Sequence, residues 1–393
     1  MHICGIIAEY DPFHTGHAYQ INAIRQILGE DCAVVCVMSG NWTQRGSAAI
    51  ADKFARAKLA LMGGADLVFE LPLPYAISSA EWFARGGVSC LNATGIVTHL
   101  CFGSECGQLA PLAQTAQCLD SMEYTQTLRT YLDQGNSFPV ARQKAVMDLI
   151  GSVGDCLKSP NNNLGVEYLR ALNWHNSKII PLTVQRQGAG HGEDACDGFA
   201  SASFIRQLLR KDHLDHALPY LIDGQADLLH QGILSDPSLA ERAILYRLRQ
   251  MTAEDLAALP DCGEGLSNLL YQAIRQATSV DEVLTFTKSK RYTLSRLRRI
   301  LLWAFLGITE ADRPNEPPYL RVLGMNKTGQ SLLSQMKEKS TVPVLTKAAH
   351  VRNLSPAAQH LFDLESRATD YYGLFLPEIS PCGSEWTHSP EII

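Results

Sequence analysis

The first 105 residues alternate short apolar runs, rich in β-branched residues, with segments whose apolar residues recur at helical spacing. The predicted strands are His2–Ala8, Ala33–Met38, Asp66–Leu71 and Val97–Phe102, and the predicted helices between them are Gly16–Ile27, Ala51–Met62 and Ser78–Leu91. Strands that are apolar throughout and separated by helices are typical of a parallel sheet covered on both faces. The alternation therefore predicts an α/β fold for this part of the chain.

In the remaining sequence, the composition and the predicted secondary structure change twice. Helices are predicted at 107–150 and 162–175, and a returning strand at Lys178–Gln185 ends the sheet. From Arg210 to about residue 310 the chain is rich in Leu, Ala and Arg at helical spacing, which predicts a second, helical domain. A linker at Thr309–Pro318 precedes a small α/β region, with a strand at Tyr319–Leu323 and a helix at Gly329–Lys337, and a tail expected to be loosely ordered. The expected domains are 1–212, 213–312 and 313–393.

Composition excludes several classes of protein. Lys and Arg number 34 against 40 Asp and Glu, a net charge of −6, which argues against a protein that coats nucleic acid by bulk charge. The 11 cysteines form no CxxC pair and sit largely in apolar stretches, so reduced thiols and a cytoplasmic location are expected. We expect no secretory signal, and the run Ile300–Ile308 is too short to span a bilayer, which needs about 20 residues.

An HxGH tetrad lies where the first predicted strand runs into the first predicted helix. The tetrad is His14-Thr15-Gly16-His17. Glycine lets a backbone approach a phosphate, a helix N-terminus presents unpaired N–H groups, and imidazoles add donors. Donors aimed at an α-phosphate stabilise the charge that develops as pyrophosphate leaves. The tetrad therefore predicts a triphosphate site, although two histidines that only pack a strand–helix junction are the alternative.

A second element supports this site. Ser201-Ala202-Ser203-Phe204-Ile205-Arg206 opens a predicted helix, and two hydroxyls with an Arg one turn later can hold the β- and γ-phosphates. The alternative is an ordinary serine cap followed by a surface Arg. Together the motifs predict an ATP site with His14, His17 and Arg206 as catalytic residues. The chain has no GxxxxGK[ST] segment, which disfavours transfer of the γ-phosphoryl group.

One local cluster is strongly basic. The twelve residues 288–299 contain no acid and six cations, which are Lys288, Lys290, Arg291, Arg296, Arg298 and Arg299. Such a patch suits the phosphate backbone of RNA, and a solvated helix face is the alternative. Trp42 and Tyr292 are candidate stacking platforms for a base, although burial is the commoner fate of an aromatic residue.

The HxGH tetrad and the Ser-x-Ser-x-x-Arg element resemble the nucleotidylyltransferase superfamily of the HIGH-motif type. Further segments resemble the bacterial tRNA(Met) cytidine acetate ligase family: Met38–Gly46, Phe102–Glu105, Pro160–Tyr168 and Lys290–Thr293. The resemblance spans most of residues 1–327. It implies a Rossmann-like nucleotidylyltransferase domain with a parallel sheet, followed by the mainly α-helical domain and the small α/β C-terminal appendage. It also implies an enzyme that activates acetate with ATP as acetyl-adenylate and acetylates N4 of the wobble cytidine of elongator tRNA(Met), releasing AMP and pyrophosphate.

The resemblance further implies which residues bind ATP. They are the segment Gly5, Ile6, Ile7, Ala8, Glu9, Tyr10, Asp11, Pro12, Phe13, His14, Thr15, Gly16, His17 and Ala18, with Gly103, Asn161 or Asn162, and Arg186. The residues themselves leave open a plain turn at Gly103, a helix cap among the asparagines and a solvated Arg186, whose following loop Gln187–His191 suits closure over a nucleotide. Asp11 and Thr15 stand where the family favours Asn, so a carboxylate lies near the tetrad.

The mechanism needs a proton acceptor only in its second half. Acetate is already anionic, so adenylation requires positioning and neutralised phosphate charge. The cytosine amine that attacks the acetyl group is helped by a base. Asp11, Asp52 and Glu105 are candidates by residue type, no spacing selects one, and a charged first helical turn is the alternative for Asp52.

We expect tRNA, acetate and ATP as partners, with Mg²⁺ as a candidate companion of ATP, and neither a metal-ligand set nor a protein partner. Two other functions remain open. One is a nucleotidylyltransferase that adenylates a phosphorylated small metabolite. The other is an RNA-binding protein with a regulatory nucleotide pocket. The helical domain and the basic cluster argue against the first, and the intact ATP motifs argue against the second.

Overall fold

The computed structural model describes residues 1–187, 195–196, 198–211, 213–231, 234–263 and 265–393. Of the loop Gln187–His191, expected to close over a nucleotide, all but Gln187 lies outside the described residues. The strands are β1 (Ile3–Ala8), β2 (Ala33–Ser39), β3 (Trp42–Thr43), β4 (Ser47–Ala48), β5 (Leu67–Leu71), β6 (His99–Ser104), β7 (Ile180–Gln185), β8 (Ala195–Cys196), β9 (Phe199–Ala200), β10 (Leu320–Met325), β11 (Val344–Leu345) and β12 (Glu391–Ile392).

The main sheet has the order β11-β10-β5-β2-β1-β6-β7, with β12 beside β10. Its central strands pair in parallel, in a register that places Ile3 opposite Ala33 and Val35 opposite Leu67. Each predicted strand of the first 185 residues appears within two residues of its predicted ends. β2 and β5 are buried along their whole length, as expected for strands with a helical layer on both faces.

The helices up to residue 210 cover the two faces of this sheet. They are α1 (Thr15–Leu28), α2 (Lys53–Met62), α3 (Leu73–Ala76), α4 (Ala80–Ala93), α5 (Leu109–Leu119), α6 (Met122–Asp133), α7 (Phe138–Ile150), a 3₁₀ segment Gly151–Lys158, α8 (Pro160–Trp174) and α9 (Ala202–Arg210). One apolar core lies under α4, α5 and α8, and a second lies on the opposite face under α1, α2 and α9.

The second half is mainly helical. Its helices are α10 (Leu214–Ala217), α11 (Gln225–Gln231), α12 (Glu241–Gln250), α13 (Ala253–Ala257), α14 (Leu266–Gln276), α15 (Val280–Thr287), α16 (Leu294–Leu306), α17 (Lys327–Lys339), α18 (Pro356–Tyr372) and α19 (Ser384–Thr387), with 3₁₀ turns at Leu218–Tyr220, Glu310–Asp312, Ala348–Asn353 and Gly373–Phe375. Among the described residues, no helix is long and apolar enough to cross a membrane. The predicted fold class, an α/β domain with a parallel sheet followed by helices and a small α/β region, is confirmed.

The chain order creates a crevice at one edge of the sheet. β1 lies between β2 and β6, so the chain leaves β1 to one side and later returns to its other side. In open α/β sheets, ligands bind outside the carboxyl ends of the strands at such a reversal. The loop after β1 carries the HxGH tetrad, and Gly103–Glu105 lies where β6 ends. The topology therefore brings two predicted site segments to the same crevice.

The C-terminal region is built into the main sheet. β10 pairs antiparallel with β5, so residues 320–325 extend the sheet that carries the tetrad. The expectation of a loosely ordered tail is wrong, because α18 and α19 pack against the fold and Glu365 and Glu385 are buried. Glu385 contacts Lys53 at 2.6 Å and Arg321 at 3.5 Å. Polar tail residues look solvated in sequence, whereas here Glu385 is paired with cations distant in the chain and Glu365 accepts from Leu73 N and the Tyr319 hydroxyl.

Replacing Lys53 tests how strongly this buried cluster holds the tail. Lys53 is 1% exposed and also contacts Glu70 at 2.7 Å, so Lys53→Met would leave two buried carboxylates without this cation. Removing one partner of a buried ion pair costs about 3–5 kcal/mol, and we expect the free energy of unfolding in urea to fall by that amount. Lys58→Met on the same helix, at a partly exposed position, is the control. A similar small decrease in both variants would contradict the prediction.

Candidate nucleotide site

The two tetrad histidines hold each other at the start of α1. His14 caps the helix: its Nδ1 accepts from Gly16 N at 3.1 Å, and its own N donates to His17 Nδ1 at 3.2 Å. Their rings stack with centroids 3.7 Å apart. A Cβ at position 16 would lie 2.9 Å from His14 Cε1, so glycine is required here by the capping ring as well as by any approaching phosphate.

Because both Nδ1 atoms accept hydrogen bonds, each neutral ring carries its proton on Nε2. Burial, aided by the positive charges of Arg186 and Arg206, lowers the pKa of His14 to about 3, and burial lowers the pKa of His17 as well. Both imidazoles are therefore neutral at physiological pH. They can offer Nε2–H donors to phosphoryl oxygens while the charge is supplied by the arginines.

An aromatic cluster behind the tetrad sets the position of His17. The Tyr10 ring lies edge-on to His17 at 4.7 Å and to Phe13 at 4.9 Å. Tyr10 has φ +48°, a left-handed conformation that costs a non-glycine residue about 1–3 kcal/mol. The buried ring, 2% exposed, holds the chain in this conformation. The side chains of Ile6, Ile7 and Phe13 are likewise buried, so this part of the predicted segment reaches a ligand mainly through its backbone.

Asp11 joins the tetrad loop to α9. Its Oδ1 accepts from Ile50 N at 2.6 Å, and its Oδ2 lies 3.2 Å from Arg206 Nη1, which also donates to the Asp11 carbonyl at 2.6 Å. Ser201 caps α9 by accepting from Phe204 N, and Ser203 is exposed beside it. The two predicted motifs therefore meet, and the carboxylate of Asp11 orients Arg206 beside the tetrad loop.

The end of β6 and the start of α8 brace each other. Glu105 accepts from Asn161 N and Nδ2 through Oε1 and from Asn162 N through Oε2, so its carboxylate occupies the helix N-terminus. In return Asn162 Oδ1 accepts from Glu105 N at 2.8 Å and from Cys106 N at 3.2 Å. Asn162 is 3% exposed and holds the loop, whereas Asn161 Oδ1 accepts from Arg186 Nη1 at 3.4 Å.

The cleft in front of the tetrad is lined by residues from four chain segments. Gly103 and Arg186 form one wall, and a Cβ on Gly103 would lie 3.1 Å from Arg186 Cγ. Gln187, from the loop expected to close over a nucleotide, also lines the cleft. Sequence reasoning missed the other lining residues: Tyr19, Gln20, Val184, Gln185, Phe199 and Ala200. Tyr19 and Gln20 stand on the partly exposed side of the first turns of α1, a position that the periodicity of the helix could have indicated.

Arg56 fastens the strand ends that carry the site. Its guanidinium donates to four carbonyl oxygens, those of Ala51, Ser39, Gly40 and Glu9, with distances of 3.0 Å to the first two. It is 0% exposed. Nothing in the sequence marks this arginine, since an Arg within an amphipathic helix is ordinarily expected in water.

The basic cluster lies on a different element, at the start of α16. Lys288, Lys290, Arg291 and Arg298 are at least partly exposed. Arg299 is largely buried and lies 3.7 Å from Asp261 Oδ2, and Arg296 donates to the Asp261 carbonyl at 2.9 Å.

Trp42 and Tyr292 are buried, and Trp42 Nε1 donates to Ala368 O, so the burial alternative holds for both aromatics. In the part of the chain that the structure describes, no group of three His, Cys, Asp or Glu could hold a metal ion.

The low pKa of His14 predicts an acid-sensitive fold. The folded value of about 3 lies below the ordinary value of 6.5, so the stability from burying neutral His14 is complete above pH 6.5 and is lost as pH falls towards 3. Between pH 7.5 and pH 5 this amounts to about 2 kcal/mol. The free energy of unfolding of both proteins should fall between pH 7.5 and pH 5. We expect the decrease for His14→Gln to be smaller than the decrease for the parent by about 2 kcal/mol. His350→Gln, at an exposed position, is the control, and equal acid sensitivity of His14→Gln and parent would contradict the prediction.

Comparison with known proteins identifies relatives of this chain. The family model described as HIGH Nucleotidyl Transferase matches residues 1–385. The chain is 38% identical to the tRNA(Met) cytidine acetate ligase of Clostridium acetobutylicum, with 97% of each chain covered, and 37% identical to that of Acetivibrio thermocellus, with 99% of each covered. The crystal structure of Thermotoga maritima TmcAL bound with alpha-thio ATP is similar, with a TM-score of 0.93, 31% identity, and coverage of 100% of this chain and 99% of that chain.

The apo form of the same Thermotoga maritima protein matches with a TM-score of 0.94 and 30% identity over 100% of both chains. The similarity therefore includes the helical and C-terminal regions as well as the nucleotide site. The resemblance drawn from the motifs is confirmed: this chain belongs to the HIGH nucleotidyl transferase family, together with the tRNA(Met) cytidine acetate ligases.

Proposed function

We propose that this protein activates acetate with ATP as acetyl-adenylate and transfers the acetyl group to N4 of the wobble cytidine of elongator tRNA(Met), releasing AMP and pyrophosphate. The observation that carries the proposal is the pair of neutral, Nε2-protonated histidines at the carboxyl end of β1, flanked by Arg186 and Arg206. The names of the relatives and the ATP analogue bound to the Thermotoga protein support it. It places the enzyme in the cytoplasm, where tRNA and ATP are found.

In the first half-reaction, an acetate oxygen attacks the α-phosphorus and the bond to the pyrophosphate oxygen breaks. The reaction needs donors aimed at the phosphoryl oxygens more than it needs a base. His14 and His17 supply donors, and Arg186 and Arg206 supply positive charge. We assign the backbone of Gly5–Ala18 to the triphosphate, Gly103 and Asn161 to the nucleoside side, and Ser201 and Ser203 to the outer phosphates. Asn162 supports the loop that follows Gly103.

We assign the RNA contact to the cations Lys288, Lys290, Arg291 and Arg298. Arg296 and Arg299 contribute less directly, because both are held against Asp261. This division refines the predicted cluster by exposure: Lys288, Lys290, Arg291 and Arg298 are exposed, whereas Arg296 and Arg299 are only partly exposed. The helical region 213–312 then serves as the tRNA-binding domain beside the nucleotide domain 1–212, and residues 313–393 brace the two.

The histidine assignment predicts a strong loss of adenylation. His17→Ala removes one donor and the acceptor that holds His14 N, so acetate-dependent formation of AMP and pyrophosphate should fall by at least about 10²–10³-fold. The assay incubates the protein with ATP, labelled acetate and total tRNA, followed by nuclease digestion and detection of acetylated cytidine. His350→Gln serves as a control. Unimpaired turnover of His17→Ala would remove the tetrad from the mechanism, and ADP in place of AMP would contradict adenylyl transfer.

The RNA assignment predicts a change in salt dependence. Arg291→Ala with Arg298→Ala should weaken tRNA binding and reduce the slope of log K against log salt by about one for each phosphate that is no longer neutralised, while ATP affinity is unchanged. Filter binding at several salt concentrations measures this. Arg129→Ala with Lys337→Ala, two exposed cations on α6 and α17, is the matched control. Equal slopes for the parent and the Arg291 and Arg298 variant would refute the assignment.

A further inference from the structure

We propose that the hairpin β3–β4 guides the tRNA backbone from the start of α16 towards the nucleotide site, with Arg45 at its tip as the phosphate contact. The inference rests on the proposed function and extends its RNA-binding surface. The RNA-binding cations expected from sequence all lie in residues 288–299, and Arg45 is outside this cluster. It belongs instead to the segment Met38–Gly46, to which the proposed function gives no role.

The residues on either side of Arg45 join two parts of the molecule. Gln44 N donates to Glu9 Oε1 at 2.6 Å, and Glu9 is the first residue after β1, in the segment that leads to the tetrad. Gly46 packs against α16, because a Cβ at this position would lie 2.6 Å from the backbone of Arg298. The hairpin tip therefore connects the end of β1 with the basic start of α16.

The turn that carries Arg45 is closed by hydrogen bonds and anchored at its base. Gly46 N donates to Thr43 O at 2.9 Å, and Gly46 has φ +76°, a conformation that favours glycine. The hydroxyls of Thr43 and Ser47 lie 2.9 Å apart across the turn. The buried ring of Trp42 packs edge-on against one ring from α16 and one from α18. The backbone at position 45 is thus held in place relative to α16.

The side chain of Arg45 is exposed, and its charge acts on the start of the tetrad loop. Burial raises the pKa of Glu9, and so does nearby Asp11. The Gln44 N–H and the positive charges of Arg45 and Arg206 lower it. Both guanidiniums therefore lie near the same carboxylate, and Arg206 is bonded to the tetrad loop at Asp11. An exposed cation thus lies where the basic surface of α16 meets the arginine beside the tetrad.

A chain of phosphates fits this arrangement better than a single small anion does. The cations are spread over two elements, the start of α16 and the hairpin tip, and a basic surface that tracks the backbone is how proteins hold an unpaired nucleic-acid strand. The target base must leave its stack to reach the acetyl group, so the phosphates beside it approach the nucleotide site while other phosphates remain on α16. Arg45 is placed to bind a phosphate close to the extruded nucleotide.

This placement affects the two half-reactions differently. Adenylation uses ATP and acetate, and no RNA phosphate takes part in it. Acetyl transfer requires the cytidine to be held beside the acetyl-adenylate. No bond forms or breaks at Arg45, so its contribution is to tRNA affinity and to the efficiency of transfer at low tRNA concentration.

The test is Arg45→Gln, which removes the charge and keeps a polar side chain at the exposed tip. We expect the slope of log K for tRNA against log salt to decrease by about one. The KM for tRNA in acetyl transfer should rise about tenfold, the effect of losing one charge-assisted hydrogen bond. Acetate-dependent exchange of pyrophosphate with ATP should match the parent. Arg45→Lys, which keeps the charge, should keep the parent slope.

Arg129→Gln, at an exposed position on α6, is the matched control and should retain the parent slope and KM. Either a parent-like slope or a parent-like KM in Arg45→Gln would overturn the proposal. An equal loss of exchange and transfer would overturn it as well, because Arg45 would then act in adenylation or in folding.

Failure of the proposed function gives a different result. A parent enzyme that binds tRNA but forms no acetylated cytidine from acetate and ATP would refute that function. A parent that acetylates tRNA, together with an Arg45→Gln variant that behaves like it, refutes only the role of the hairpin.

Discussion

The buried guanidinium of Arg56 is the interaction on which the site depends. It lies where β1 and β2 end, and it donates to carbonyl oxygens of Glu9, Ser39, Gly40 and Ala51. An isolated buried charge is very costly, and only a dense set of hydrogen bonds makes it tolerable. Once those carbonyls converge on one cation, the loops that follow both strands have little freedom. The tetrad loop and the hairpin β3–β4 therefore start from fixed positions.

From these fixed points the site is assembled by reciprocal polar contacts. Asp11 holds Arg206, Glu105 holds the start of α8, and the two histidines hold each other. Each contact neutralises a charge or supplies a hydrogen-bond partner to a polar group that would otherwise lack one. A consequence for chemistry follows: the histidines stay neutral, the arginines carry the charge, and Asp11 and Glu105 each have both carboxylate oxygens engaged.

Much of the fold could be predicted because its signals are local. The predicted strand ends in the first 185 residues lie within two residues of those in the structure, since buried parallel strands read as unbroken apolar runs. The HxGH tetrad was recognisable for a similar reason: its function needs glycine and imidazole at short spacing beside a helix start. The helix-start role of Asp52 was among the alternatives read from sequence, whereas the occupied roles of Asp11 and Glu105 were not predictable. Their partners are up to 195 residues away for Asp11 and 57 for Glu105, and residue type alone does not distinguish a base from a cap.

Sequence alone determined the order of strands and helices, the location of the nucleotide motifs, the basic cluster and the family, because each depends on residues close together in the chain. Only the tertiary structure decided how far the sheet extends, that the polar tail is locked by Lys53 and Arg321, and which of the six cations face water. These outcomes depend on pairs of charged groups that must come together before either can be buried. The energy of such a pair depends on the distance between the two side chains, and that distance is set only when the chain folds.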